Sequence, residues 1–268
     1  MSQSNELISK IDVLRCGNKD FITNAFFSTK HLISLINSYE VITNTSTNTI
    51  IILLEEEQLI RLYFYAANIE SLRYISELIP HHTNKPVIAD IVGKNPNVEK
   101  LSNELEKHNF CKHNELIRMN RKPQEGMLVT VSNVVFATTD NANEIMDILY
   151  GEFDIYTSQL PTLQKLAEAI SKREITIVTQ QDMIVGLAYF VTLGERLKYL
   201  YQIVVRKNYR GRGIADDLLM YTFENSSKDT SFQLWVETQN KPAIRKYQKY
   251  GFTKDGLIDY IMLYKGEE

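Results

Sequence analysis

The sequence has 268 residues, of which 44% are apolar, 24% charged and 10% aromatic, with a formal net charge of −3 and an isoelectric point near 6.0. That length accommodates two domains with proper cores, and the near-neutral charge gives no general pull towards nucleic acid or an anionic membrane. No stretch reaches the ~18 apolar residues needed to cross a bilayer, and the opening Met1 to Glu6 lacks a secretory pattern, so a soluble cytoplasmic chain is expected. The two cysteines, Cys16 and Cys111, have no partner at metal-ligand spacing and are expected to be plain buried thiols.

In chain order, residues 4–15 space their apolar side chains as an amphipathic helix does, and further helical turns are expected over 20–39. A polar bridge over 43–49 leads to two β-rich runs, 50–54 and 59–65, joined through Glu55 to Gln58 as a hairpin. A helix at 69–79 ends near Pro80. Next come a strand at 86–92, a helix at 96–108 and a strand at 115–119. All five histidines (His31, His81, His82, His108, His113) fall in this first half. The pair His81-His82 has the loop position of a metal ligand, of a base or of plain solvated side chains. Residues 120–126, where charge, Pro and Gly cluster, read as a linker, giving domains at 1–124 and 127–268.

The second half opens with a strand at 133–138 and a helix at 142–149 for which Asp140 is the expected cap. Pro161 opens a helix over 162–172. Strands at 174–179 and 183–193 form a hairpin through Gln180 to Asp182. An apolar strand, 198–205, then runs into the basic loop 206–215 and the helix 216–224. A strand at 231–239 precedes the segment from Asn240 to Phe252. The order strand, strand, helix, strand, helix, strand occurs in both halves. Setting Asn109-Phe110 against Gly251-Phe252 puts Leu105 at the position of Tyr247 and Leu101 at that of Ala243, and no glycine lies between Tyr65 and Glu70. The first half reads either as a worn copy of the second or as an unrelated α/β cap.

Strand, glycine loop and helix at 198–224 form one device. The first turn of a helix has amides without internal partners and carries roughly half a positive charge, so it attracts phosphate. Gly211 and Gly213 let a bulky anion approach, while Arg210 and Arg212 offer charge-assisted hydrogen bonds. The combination reads as a pyrophosphate site, although neither G-x-x-x-x-G-K-[ST] nor G-x-G-x-x-G occurs.

This loop resembles the R/Q-x-x-G-x-G/A signature of the GCN5-related N-acetyltransferases (GNAT), through Arg210, Gly213 and Ala215. The family pattern N-x-x-A-x-x-x-Y-x-x-x-G-F is filled by Asn240, Ala243, Tyr247, Gly251 and Phe252. The resemblance implies an α/β (α+β) GNAT fold, a mixed central sheet flanked by helices, in two GNAT-like halves. It implies acetyl-CoA as co-substrate, with the pyrophosphate on Arg210, Gly211, Arg212, Gly213, Ile214 and Ala215. It further implies the pantetheine arm on the backbone of Ile203, Val204 and Val205, with Asn240 on the other side of that arm. The early helices and the loop Tyr150 to Leu160, with Phe153, Tyr156 and Gln159, would shape the acceptor pocket.

Acyl transfer to an amine also needs an acid for the departing thiolate. The Tyr247 phenol, with a reference pKa near 10, stays protonated at neutral pH and suits that role. A lysine-like amine is protonated about 2,500 to one at pH 7, or roughly 4.6 kcal/mol, so a proton acceptor is expected. Where many family members place a glutamate this chain has Tyr199, and the usual acid on the next strand is replaced by Trp235. Glu237, a water chain or a first-half histidine stand as substitutes. With no Cys or His after residue 126, direct transfer in a ternary complex is expected, with no metal. The acceptor is expected to be a small-molecule amine, with a peptide or protein amine, or a non-catalytic acyl-CoA-binding role, as the alternatives.

Overall fold

The computed structural model describes residues 3–38, 41–80, 84–124 and 133–266. His81, His82 and the last two residues of the expected linker lie outside these. The chain divides into two compact units, one of residues 1–116 with 257–268, the other of residues 117–256. Against the expected division at 1–124 and 127–268, two segments change sides. The reason is that two long strands cross the division: β6 (Phe110–Arg121) starts in the first unit and ends in the second, and the chain's last strand, β12 (Thr253–Tyr264), does the reverse.

In the first unit, α1 (Gln3–Gly17) precedes a two-residue strand β1 (Ile22–Thr23) and α2 (Thr29–Ser38). Of the helical turns expected over 20–39, α2 supplies those from Thr29 on, whereas Ile22–Thr23 pair antiparallel with β4 (Ile60–Ala66) instead. The start of the polar bridge, Thr43 to Thr45, belongs to an edge strand, β2 (Val41–Thr45), paired with β3 (Thr49–Glu55). Its β-branched threonines favour the pleat, and its half-exposed pattern suits an edge. The run Ile50 to Leu54 and most of β4 are buried, as continuous apolar runs predict. The expected helix at 69–79 is a 3-10 turn (Ile69–Tyr74) followed by a single α turn, α3 (Ile75–Leu78). β5 (Val87–Gly93) and α4 (Asn97–Glu106) follow. Phe64, Leu62, Ile88 and Leu105 are fully or almost fully buried, each contributing about 1.5–3 kcal/mol of hydrophobic free energy relative to exposure. Cys16 is exposed and Cys111 only partly buried, so neither is the buried thiol expected.

Two polar features sit inside this apolar unit. Arg61, 4% exposed, is ion-paired with Glu56, Nε to Oε1 3.0 Å, and with Asp90. Nearby, Asp259 of β12 is buried with its Oδ1 unpartnered among the described residues. Burial, and after it the Asp90 charge, hold the Asp259 carboxyl well above its ordinary range, against the pull of Arg61 and the Ile91 amide.

The second feature lies between β4 and β5. These parallel strands pair at Ile60↔Val87 and Arg61↔Ile88, and no pairing is registered beyond. Beyond that point the Asn24 side chain spans the gap, Nδ2 donating to Leu62 O (3.0 Å) and Asp90 O (3.2 Å) while Oδ1 accepts from Phe64 N (2.8 Å). Thr23 Oγ1 donates to Phe64 O at 2.6 Å. The chain's own segment thus occupies the open edge of β4.

The second unit starts with the end of β6 and β7 (Val134–Phe136), then α5 (Ala142–Glu152) and α6 (Leu163–Ser171). Thr138, not Asp140, caps the turn before α5, in a reciprocal pair with Asn141. A mixed sheet follows: β8 (Ile175–Gln180), β9 (Met183–Leu193), β10 (Leu197–Val205) and, after α7 (Ile214–Glu224), β11 (Ser231–Glu237). Gln181 and Asp182, at φ 52° and 59°, make the two-residue hairpin turn between β8 and β9. α8 (Lys241–Lys249) leads to β12. Ile145, Leu149, Leu166 and Ile170 of α5 and α6 pack with Ile175, Leu187 and Val204 into one core. The end of β6 is tied in by Arg118 Nε to Asp255 (2.7 Å), Asn120 Nδ2 to Asp255 (2.7 Å) and Gln233 Nε2 to Asn120 (2.7 Å).

Candidate functional site

The site begins where β10 leaves β11. The two run parallel from Leu197↔Ser231 to Leu200↔Leu234, where their pairing ends. β10 stays paired with β9 through Val205↔Gly186, with an irregularity between Leu200 and Gln202 that leaves Tyr201 as an extra residue. Arg206 N donates to Val185 O at 2.9 Å. Antiparallel alternation then turns the peptide groups of Val204 to β9 and those of Ile203 and Val205 to the open side. Of the three residues expected to meet a pantetheine arm, two present backbone and the third, Val204, gives a buried side chain to the core.

After β10 the chain makes a 3-10 turn, Lys207–Tyr209, and reaches α7 through Gly211 (φ 78°) and Gly213 (φ 84°). Both conformations favour glycine. A Cβ at either would meet nothing within 4 Å, so open space lies before the loop. Intrahelical bonding starts with Asp217 N to Gly213 O at 3.0 Å, which leaves the amides of Ile214, Ala215 and Asp216 with no carbonyl behind them. Acids of α5 fasten the loop: Arg206 pairs with Glu144 at 2.9 Å and Arg210 with Glu152 at 3.0 Å. Arg210 Nε also donates to Val205 O (2.8 Å), and exposed Arg212 reaches Asn208 O (3.1 Å) over the Tyr209 ring. Asp216 binds Lys246 of α8 and accepts from Tyr250 Oη at 2.6 Å. Burial alone raises the Asp216 carboxyl, but these partners outweigh it and hold the group below its ordinary range.

α8 starts at Asn240, whose Oδ1 accepts from Ala243 N at 3.1 Å. About two turns on, Tyr247 is 7% exposed, its ring 5.7 Å from that of Phe252. Its hydroxyl has no hydrogen-bond partner among the described residues, and burial raises its pKa above the ordinary tyrosine value.

The face of β9 and β10 beneath α5 and α6 has a tyrosine cluster: Tyr201 stacks on Tyr189 at 5.4 Å and meets Tyr199 edge-on at 4.7 Å. Burial, aided by nearby Glu174, pushes the Tyr189 phenol up to about 12. Beside them is Gln202, 2% exposed, a residue that sequence reasoning missed. Its Nε2 donates to Gln159 O of the α5–α6 loop at 3.4 Å, and its Oε1 is buried without a partner among the described residues. The signal was an amide inside the apolar run Tyr-Leu-Tyr-Gln-Ile-Val-Val. Phe153 packs on the α5–α6 core, and Gln159 touches Gln202. Gln233, Trp235 and Glu237 share the less buried face of β11. Among the described residues no cluster of His, Cys, Asp and Glu could hold a metal, and no helix is long and apolar enough to cross a membrane.

A parallel strand pair that opens at its end, continued by a glycine loop that starts a helix, defines the GNAT class of acetyltransferase domain. Residues 171–254 match the family model described as acetyltransferase (GNAT) domain. The family uses acetyl-CoA as co-substrate. Among curated proteins, Acetyltransferase Atu2258 of Agrobacterium fabrum is 38% identical over 60 residues, 22% of this chain and 44% of that relative. The match thus spans less than half of that relative's length. Among solved structures, a GCN5-related N-acetyltransferase from Sphaerobacter thermophilus has a TM-score of 0.58 at 13% identity, over 91% of this chain and 95% of the other. A tandem GNAT protein from the clavulanic acid biosynthesis pathway has a TM-score of 0.52 at 11% identity, over 82% and 80%. At these identities the two structures establish the fold alone.

Proposed function

We propose that the chain is an N-acetyltransferase moving the acetyl group of acetyl-CoA to a primary amine of a small molecule, with residues 117–256 carrying the chemistry. The observation that carries this reading is the opened edge of β10: the peptide groups of Ile203 and the N–H of Val205, whose carbonyl accepts from Arg210, face a gap that leads to the unpaired amides of Ile214 to Asp216. The pyrophosphate would lie on those amides and on Gly211 to Gly213, with Arg212 at its rim. Arg210 would act by holding the loop, since its guanidinium is engaged by Glu152 and Val205 O. The pantetheine amides would add to the β10 edge as a further strand does, and Asn240 would meet the arm from α8.

In the transfer the amine nitrogen attacks the thioester carbonyl, a C–N bond forms and the C–S bond breaks. The Tyr247 Oη–H then protonates the thiolate. Burial favours the neutral phenol, so the acid is in its donating form at every pH where an amine reacts. The proton lost by the amine passes to water or to Glu237. Gln202 belongs to the acceptor side: an unpartnered buried amide oxygen costs about 1–3 kcal/mol, which an N–H donor from the acceptor would offset. The small-molecule class follows from the enclosure of that oxygen by the α5–α6 loop.

On this reading residues 1–116 are a degenerate copy. Their parted strands, β4 and β5, correspond to β10 and β11, but Asn24 and Thr23 fill the gap where a pantetheine arm would run, and Leu105 stands for Tyr247. One coenzyme per chain is expected. The replacement of the family glutamate by Tyr199 favours a second reading, a binding protein that holds acetyl-CoA without turnover. Release of free thiol from acetyl-CoA with a panel of amines, run on the full chain, decides between them. Turnover with one amine class supports transfer; tight acetyl-CoA binding with no acetylated amine supports the binding protein.

A further inference from the structure

The opposite end of α7 borders a second cavity, of about 230 Å³, that the acyl-transfer reading does not use. Phe136, Tyr221 and Phe190 line it, the first two in edge-to-face contact at 5.6 Å. Lys172, Arg173 and Lys198 also line it. None of these three cations forms an ion pair among the described residues. Arg173 rests on the Phe136 ring at 5.1 Å. Glu174, the single carboxylate of the lining, accepts from Thr192 N at 3.1 Å and leaves the balance positive. Lys198 is half-buried, and burial lowers its pKa although Glu174 draws it up in part. An ammonium taken out of water without a counter-ion is costly, and a bound anion offsets that cost. Counting along α7 from Gly213 to Tyr221, the cavity is about 12 Å from the glycine loop, so it is a separate site. Its volume is below the ~300–1,000 Å³ of pockets for drug-sized ligands, which excludes a nucleotide or coenzyme.

We propose that this cavity binds a small organic acid, its carboxylate between Lys198 and Arg173 and its apolar body against Phe136, Tyr221 and Phe190. Three cations that form no ion pair among the described residues select the negative charge, and the aromatic walls select an organic acid over a bare inorganic ion. The site stands on its own lining residues and does not depend on the acyl-transfer reading.

The test is equilibrium dialysis of benzoate against the full chain, with benzamide as neutral isostere and inorganic phosphate as competitor. Benzoate is expected to bind, benzamide to bind at least about tenfold more weakly, and Lys198→Met to lower benzoate affinity by a similar factor, as loss of a charge-assisted contact does. Lys198→Arg should keep the affinity, and benzoate should raise the Tm of the wild type but not of Lys198→Met. The Tm of each variant without ligand reports whether it folds, so a misfolded Lys198→Met leaves the benzamide and Lys198→Arg arms to decide. Equal binding of benzoate and benzamide, no binding of benzoate, or displacement of benzoate by phosphate at lower concentration would overturn the proposal.

Discussion

At the scale of single residues, burial decides which protonation state is available. Tyr247 is buried, so its phenol holds its proton more firmly than an exposed one. For Tyr247→Phe the expected outcome is a fall in kcat of about 10²–10⁴-fold with the acetyl-CoA Kd unchanged, measured by thiol release and by coenzyme titration. Asp259 illustrates the opposite cost. Its folded pKa lies above its unfolded value, so the native state binds more protons than the unfolded chain above pH ~4, and stability falls as pH rises through the folded pKa. Asp259→Asn should therefore stabilise the protein at pH 7 by roughly 1–3 kcal/mol, with the gain closing towards pH 4. Urea unfolding at the two pH values checks it.

At the scale of elements, two parallel strand pairs part in the same manner and meet different fates. β10 keeps an open edge, whereas β4 is closed by β1 and by the Asn24 amide, which answers one donor and two acceptors. Asn24→Ala strands Leu62 O, Asp90 O and Phe64 N, and is expected to cost about 2–4 kcal/mol. Because Asn24 lies outside the proposed catalytic unit, the folded variant should keep its turnover. Chemical unfolding paired with the thiol-release assay separates the two effects. In the loop before α7, Glu152 and Val205 O engage Arg210, so on the proposed reading exposed Arg212 is the cation left at the rim for a phosphate.

At the scale of the molecule, no single cut separates the two units. A fragment of residues 127–268 lacks the end of β6, and with it the bonds of Arg118 and Asn120 to Asp255 and of Gln233 to Asn120. It also carries residues 257–268, which belong to the other unit. The fragment is expected to show no cooperative urea transition, in contrast to the full chain, as followed by far-ultraviolet circular dichroism. A cooperative transition in the fragment would mean that β6 contributes little to unit 2.

Local signals were enough for much of this protein. Periodicity located most of the helices and strands from β3 to β12, and two short motifs fixed the glycine loop, Asn240 and Tyr247, because a left-handed turn and a helix face are written in neighbouring residues. What the sequence could not decide depends on partners distant along the chain. Ile22 and Thr23 read as helical yet become a strand because β4 offers an unpaired edge about forty positions on. Gln202 reads as a stray amide in an apolar strand until Gln159 is brought beside it. The division into units follows from where β6 and β12 find their pairing partners, a property of strands that local composition does not record.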